Sequence, residues 1–222
     1  IFAARAIALA NAVAIDLSSA TADPAWQARA ALLTPITKAF GTDVGIAVAE
    51  TGVQVHGGMG FIEETGAAQY SRDVRVTAIY EGTNGIQAMD LVGRKMLDGG
   101  EAAFALLDQL AGESERAKQS HPDLADKVWQ ASETLREAVE WMAAQRVFND
   151  RFAGATGFLR AFARVLGAHY HLCAAMNEPE PGPREKLARF YINSLLPEHI
   201  GLLDQARQGA KDIYAFHPDE LV

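Results

Sequence analysis

The chain has 222 residues, of which 49% are hydrophobic, and this is enough to bury a core as one large domain or two small ones. Its formal net charge of -8 argues against nucleic acid or an anionic membrane as the main partner. The single cysteine, Cys173, excludes an internal disulfide and favours a reducing, cytoplasmic compartment. We interpret Cys173 as a small buried apolar residue.

The first ten residues begin in the middle of an apolar pattern, without an initiating Met. No basic segment precedes them, as it would in a signal peptide, and Arg5 interrupts a run that is too short to span a bilayer. We therefore expect an amphipathic helix over residues 1–18, in a chain that is the C-terminal piece of a longer protein.

A second, long helix is predicted from about Ala25 to Val55, with Asp23 as its N-cap and Pro24 at its first position. Pro35 lies inside the pattern and predicts a kink. Apolar residues recur at steps of three and four, which predicts one buried stripe. The stripe consists of Ile36, Ala39, Phe40, Val44, Ala47 and Val48.

Between Gly57 and Thr83 the helical periodicity breaks. Residues 74–80 are β-prone by composition, but a single such heptad in a helical chain has no obvious partner strand. We expect an extended or short helical connector there. Helix returns from Asn84 to about Leu97, and Gly99-Gly100 is the best internal boundary.

About four more helices follow that boundary, separated by Pro-rich or Gly-rich breaks. Their predicted ranges are 101–118, 121–148, 151–176 and a last segment from 184 that is broken at 196–198, with a helix-free loop at 177–183. The predicted fold is all-α, with helical domains over residues 1–98 and 101–222.

Two motifs carry candidate chemistry. Gln54 and the glycines 57, 58 and 60 offer backbone that a large ligand can approach, although the same glycines also fit a helix C-cap and a loop. Glu81 follows Ala78, Ile79 and Tyr80 and precedes Gly82, so this carboxylate has an apolar and small-residue setting. Desolvation makes a carboxylate a stronger base, while a solvated surface glutamate is the alternative interpretation.

Other polar residues of this region have structural explanations. Arg72, Asp73 and Arg75 form a charge cluster that we interpret as ion pairs holding the connector. His56 has no second ligand at metal spacing, and we predict no metal site.

Residues 1 to about 97 resemble the C-terminal helical domain of the acyl-CoA dehydrogenase family. The motifs that carry the resemblance are residues 54–61 (QVHGGMGF), Arg72-Asp73 and residues 79–87 (IYEGTNGIQ), in this order and spacing. Residues 100–222 resemble, more diffusely, the extra C-terminal helical domain of a subset of the family that includes the 3-methylmercaptopropionyl-CoA dehydrogenases.

The resemblance implies α,β-dehydrogenation of an acyl-CoA thioester to a trans-2-enoyl-CoA, with Glu81 as the base that removes the α-proton. It implies that the backbone amide of Glu81 is one of two donors to the thioester oxygen. Tyr80 and Gly82 would then line the substrate. Gln54, Gly57, Gly58 and Thr83 would contact FAD, the first three on a neighbouring subunit.

A dimer or tetramer follows from such a shared FAD site, with an exposed helix face around Phe40 as part of an interface. The implied electron acceptor is an electron-transfer flavoprotein. An acyl-CoA oxidase fragment, which gives its electrons to oxygen, is one alternative. A helical oligomerisation module in which Glu81 has no chemical role is another. We expect the chain alone to bind FAD weakly or not at all and to be inactive, because most of the family's active site lies upstream.

Overall fold

The computed structural model describes residues 1–180 and 182–221, and these residues form α-helices and short turns without a β-strand. The all-α prediction is therefore confirmed for the described residues. The helices are α1 (Phe2–Thr21), α2 (Pro24–Val55), α3 (Gly58–Phe61), α4 (Ala67–Arg75), α5 (Asn84–Gly93), α6 (Glu101–Ala117), α7 (Pro122–Ala144), α8 (Phe148–Met176), α9 (Pro183–Phe190) and α10 (Glu198–Ala206).

Local signals set most helix starts. The Asp23 side chain accepts a hydrogen bond from the Ala25 amide at 2.8 Å, so the predicted N-cap of α2 is confirmed. Pro122 and Pro183 stand at the first positions of α7 and α9, where a missing amide proton costs nothing. The Pro-rich loop that we predicted before α9 includes Pro181, which lies outside the described residues.

The connector between Gly57 and Thr83 is helical rather than extended. It contains α3, α4 and two 3-10 turns, Glu63–Thr65 and Val76–Ala78. The β-prone heptad thus continues α4 because no partner strand is available to pair with it. Helix α5 ends at Gly93, a few residues before the predicted end, and turns lead on towards Gly99.

Helix α8 lies at the centre of the molecule and packs against α1, α2, α5, α6, α7, α9 and α10. Residues before and after Gly99-Gly100 both contribute to the core around α8. Leu33 and Leu91 come from the first part, and Phe158 and Leu166 from the second, all four fully buried. The proposed domain boundary between residues 98 and 101 stays a prediction.

The stripe on α2 is buried only along part of the helix. Ile36 and Phe40 are buried beneath α8, whereas Val48 is 44% exposed. The expectation that Phe40 lies on an exposed interface face is wrong, because its side chain is only 5% exposed and the Arg164 guanidinium lies 5.7 Å from its ring centroid. The open, apolar part of α2 begins one turn or more later.

Helix α1 is longer than the apolar run marked off in the sequence. Over its 20 residues it is long and apolar enough, by length and composition alone, to cross a membrane. The ten-residue run that we described as too short to span a bilayer is thus only the first half of this helix. The finding is weak evidence of a span, because helices of a soluble bundle meet the same test. Here Ile7 and Ala14 pack into the core, while Leu9 and Val13 are exposed.

Candidate active site

Glu81 lies on a short strap, residues 79–83, that connects the end of the helical connector to α5. Two successive residues of the strap are left-handed, Glu81 with φ 56° and Gly82 with φ 82°. A non-glycine residue in this region costs of order 1–3 kcal/mol and persists only where surrounding contacts hold it. Among the described residues only Ala22, at the end of α1, shares this property with Glu81.

Side chains from two helices hold the strap. The Gln87 amide of α5 donates to the Glu81 carbonyl at 2.8 Å, and the Lys38 ammonium of α2 donates to the Gly82 carbonyl at 2.7 Å. The Thr83 hydroxyl accepts a hydrogen bond from the Ile86 amide and caps α5. The strap is therefore tied at three consecutive residues.

The carboxylate and the backbone N–H of Glu81 take no part in these ties. Its carboxylate is exposed, and within the part of the chain that the structure describes its backbone amide donates no hydrogen bond. A carboxylate and an N–H group that donates to none of the described residues thus belong to one residue, and together they could act as a base and an oxyanion donor.

Glu81 has the apolar neighbours that we expected, but these neighbours are themselves exposed to solvent. Its apolar neighbours Ile79, Tyr80 and Ile86 are 53%, 55% and 54% exposed, so they form an apolar surface beside the carboxylate rather than a closed pocket. None of the described residues covers this surface. An apolar ligand placed on it would remove water from the carboxylate.

The predicted cofactor contacts at the other motif are exposed. Gln54 ends α2, and Gly57 follows with φ 60° and nothing within 4 Å of a Cβ at its position. Gly58 is equally open. Gly60 is different, because a Cβ there would lie 2.9 Å from the His56 Cβ. Gly57 and Gly58 therefore leave bare backbone free for a planar ligand, while Gly60 serves packing.

The structure does not bring the two predicted sets of residues into one site. Lys38 touches the strap, and Gln54 lies sixteen residues further along the same helix. At 1.5 Å of rise per residue this separates them by about 24 Å. Gln54, Gly57 and Gly58 thus lie at one end of α2, and Glu81, Gly82 and Thr83 beside its middle.

A groove of ≈ 420 Å³ runs between α2 and α4, lined by Gly45, Val48, His56, Tyr70, Val74 and their neighbours. A second groove lies beside Arg72, which pairs with Glu63 at 2.8 Å. The expected charge cluster is thus reduced to this one pair, since Asp73 and Arg75 make no ion pair with any residue that the structure describes. Neither groove is lined by the predicted site residues.

One polar cluster was missed by the sequence analysis. The Cys173 thiol donates to the Glu113 carboxylate at 2.9 Å, and His169 Nε2 lies 3.5 Å from the same carboxylate. These three ligand atoms lie within 4.8 Å of one another. The His169–Cys173 spacing of four residues is visible in the sequence, but Glu113 comes from α6, 60 residues away from Cys173.

Burial governs the charges of this cluster. It lowers the pKa of His169 to about 4, although the Glu113 carboxylate opposes this effect. It raises the pKa of the Cys173 thiol, and the hydrogen bond to Glu113 raises it further. Burial acts to raise the pKa of Glu113, but hydrogen bonds from Cys173 and Gln109, together with His169 and Arg116, outweigh it and lower that pKa. The cluster is therefore a carboxylate held by a thiol and a neutral imidazole.

Two family models match the chain. The model described as "Acyl-CoA dehydrogenase, C-terminal domain" matches residues 3–97, and the one described as "Acetyl-CoA dehydrogenase C-terminal like" matches residues 104–217. The first match contains both motifs of the candidate site.

Curated relatives agree. The chain is 39% identical over 164 residues to 3-methylmercaptopropionyl-CoA dehydrogenase of Ruegeria pomeroyi, a match that covers 70% of this chain and 28% of that protein. It is 29% identical over 210 residues to butyryl-CoA dehydrogenase of Syntrophomonas wolfei, covering 85% of this chain and 34% of the relative. The chain thus spans about a third of the length of these relatives.

The fold is similar to the crystal structure of Caenorhabditis elegans ACDH-11 in complex with C11-CoA. The TM-score is 0.78 at 18% sequence identity, covering 96% of this chain and 37% of that one. With both family models spanning almost all of residues 3–217, the chain belongs to the acyl-CoA dehydrogenase family, whose C-terminal region it matches.

Proposed function

We propose that this chain is the C-terminal part of a FAD-dependent acyl-CoA dehydrogenase that converts an acyl-CoA thioester to its trans-2-enoyl-CoA. The observation that carries the proposal is the left-handed strap residue Glu81, which presents together an exposed carboxylate and an amide N–H that donates to none of the described residues. The relatives named above are dehydrogenases of acyl-CoA thioesters and support this reaction class.

Glu81 acts as the general base. Its carboxylate takes the α-proton of the thioester, and its own amide N–H donates to the thioester oxygen as negative charge develops there. A positioned base contributes about 10²- to 10⁴-fold, and an oriented donor about 3–4 kcal/mol. Tyr80 and Gly82 lie on either side of the base and contact the substrate. The acyl group excludes water by covering Ile79 and Ile86.

A bound FAD would supply the acceptor for the hydride of the β-carbon. It would be held by the exposed amide of Gln54, by the open backbone of Gly57 and Gly58, and by Thr83 beside the base. Because Gln54 and the strap lie about 24 Å apart along α2, one cofactor contacting both is more simply shared between two copies of the chain. This favours a homo-oligomer, a dimer or a tetramer.

The proposal extends to the electron acceptor and the compartment. The reduced enzyme passes its electrons to an electron-transfer flavoprotein in the cytoplasm. Peroxide formation by the full-length enzyme in air would instead indicate the oxidase.

The test is the Glu81→Gln variant of the full-length enzyme that contains this chain. We expect it to fold, to keep its FAD, and to reduce that FAD with acyl-CoA at least about 10²-fold more slowly, because the amide cannot take the α-proton. Glu64→Gln, at an exposed residue of the same connector, is the matched control and should keep the parental rate. Flavin bleaching of Glu81→Gln at a near-parental rate would refute the assignment.

A further inference from the structure

We infer that Lys38 is a positioning residue for the proposed reaction: its ammonium, oriented through Asn84 and Asp43, fixes the strap that carries Glu81. This inference rests on the proposed function, since it gives Lys38 a positioning role at the same site. Lys38 is assigned no contact with FAD or substrate. Its role follows from the hydrogen bonds that hold the carbonyls of the strap.

The strap needs an external support because its backbone is strained. Glu81 and Gly82 are two left-handed residues in succession. A residue other than glycine, such as Glu81, does not favour this conformation intrinsically, so surrounding contacts must hold it. Both of their carbonyls are occupied, the first by the Gln87 side chain and the second by the Lys38 ammonium, at 2.8 and 2.7 Å. These two bonds come from α5 and α2, so they relate the strap to both helices.

Lys38 itself is held in one orientation. Its ammonium also donates to the Asn84 side-chain oxygen at 2.9 Å, and Lys38 forms no ion pair among the described residues. The Asn84 amide nitrogen donates to the Asp43 carboxylate at 2.6 Å and lies 3.3 Å from the Ala39 carbonyl. These acceptors fix which end of the Asn84 amide faces Lys38.

The network contains one positive and one negative side chain, which a neutral amide separates. Lys38 is positive, Asp43 is negative, and the neutral Asn84 amide stands between them. All three side chains are half-buried, so the ammonium is not free to point into solvent. A charged donor bound to a carbonyl forms a stronger hydrogen bond than a neutral donor does. The Gly82 carbonyl, which lies in the Gly82–Thr83 peptide plane, is therefore fixed by a lysine more than four turns from Gln54 at the end of α2.

Fixing the strap matters because the base and the oxyanion donor belong to the same residue. A shift of Glu81 moves its carboxylate and its amide N–H together, away from the α-proton and from the thioester oxygen. A displacement of about 1 Å in a reacting group can cost about 10²-fold in rate.

The experiment uses the full-length enzyme and two variants that each remove one tie. Lys38→Met keeps the apolar stem and removes the donor to Gly82, and Gln87→Leu removes the donor to Glu81 with little change of shape. The matched control is Lys127→Met, because Lys127 also bridges two elements, by donating to Asn193 at 2.6 Å, but lies on α7 far from the strap. CD spectra and FAD content establish that each variant is folded.

Two measurements are made on each variant. Hydrogen exchange of the peptide spanning residues 76–88 reports how firmly the strap is held, whether or not the enzyme is active. Single-turnover flavin bleaching at increasing acyl-CoA reports the limiting rate and the half-saturation concentration separately. We expect Lys38→Met and Gln87→Leu to raise exchange of this peptide at least tenfold. We expect them to lower the limiting rate about 10- to 100-fold, with half-saturation within threefold of the parent.

Unchanged exchange in Lys38→Met would overturn the inference, because the ammonium would then not hold the strap. Faster exchange with an unchanged limiting rate would overturn it too, because strap geometry would not matter for the chemistry. If Lys38→Met does not fold, Gln87→Leu is judged by the same two criteria. The Glu81→Gln variant distinguishes failure of the Lys38 inference from failure of the proposed function, since a parental rate in that variant would refute the proposed function itself.

Discussion

Cys173 shows how burial and one neighbour, Glu113, change the chemistry of a single side chain. Burial raises the pKa of the thiol, and its hydrogen bond to Glu113 at 2.9 Å raises it further, because the thiolate would face a carboxylate. The interpretation of Cys173 as a small apolar residue thus omitted its polar contacts with Glu113 and His169. A thiol of this kind is a poor nucleophile at neutral pH.

We expect Cys173 of the folded chain to react with a disulfide reagent at pH 8 at least about tenfold more slowly than free cysteine. Absorbance of the released thiolate measures the rate, and the same chain in denaturant should react as fast as free cysteine. Glu113→Gln removes the negative charge beside the thiol and should therefore speed the reaction of the folded chain. Native reaction at the free-cysteine rate would show that the thiol is neither buried nor held by Glu113.

At the scale of the elements, the contact between α8 and α10 depends on Gly154. A Cβ at this position would meet the Ala206 backbone, with the Ala206 Cα only 2.9 Å away. Since backbone cannot move aside as a flexible side chain can, the two helices would have to separate. Such overpacking costs typically 1–3 kcal/mol, occasionally more.

Gly154→Ala should therefore lower the free energy of unfolding by about 2 kcal/mol or more, as measured by urea unfolding followed by CD. Gly112→Ala is the matched control, because Gly112 is also inside a helix but is exposed and has nothing within 4 Å of a Cβ. Removing that glycine should raise the free energy of unfolding by about 0.5–1 kcal/mol. Equal effects of the two substitutions would contradict the close packing of α8 on α10.

The helix starts could be predicted from sequence because their signals are local. Asp23-Pro24 and Pro122 fix the entries of α2 and α7 through capping and a missing amide proton, whatever the rest of the chain does. The end of the buried part of α2 could not be predicted in the same way. Phe40 and Val48 belong to one apolar stripe, and only the position of α8 decides which of them is covered.

The candidate site likewise has a part that the sequence could predict and a part that it could not. The motifs located Glu81, Gln54 and the glycines, because the residue types themselves carry the chemistry. The sequence could not indicate that the strap is tied to Lys38, 44 residues away, or that it lies beside the middle of α2 and not near Gln54. Both facts depend on how α2 runs past the strap, which is a property of packing rather than of local pattern.

For the molecule as a whole, burial of neutral histidines makes stability depend on pH. His169 is 2% exposed, and burial lowers its pKa from 6.5 to about 4; Glu113 opposes this shift and Arg29 adds to it. Burial also lowers the pKa of His199, which is 5% exposed. Between pH 6.5 and pH 4 the unfolded chain therefore binds protons that the folded chain does not, so the free energy of unfolding falls as the pH falls.

We expect this free energy to fall by about 2 kcal/mol from pH 7 to pH 5 for His169 alone, with a further loss from His199. Urea unfolding at fixed ionic strength measures it. Carboxylates with a lowered pKa, such as Asp123, lose their contribution only below about pH 4 and do not interfere. His169→Gln should flatten the dependence, whatever its stability at pH 7. A parental slope in His169→Gln would show that His169 titrates alike in the folded and unfolded chain.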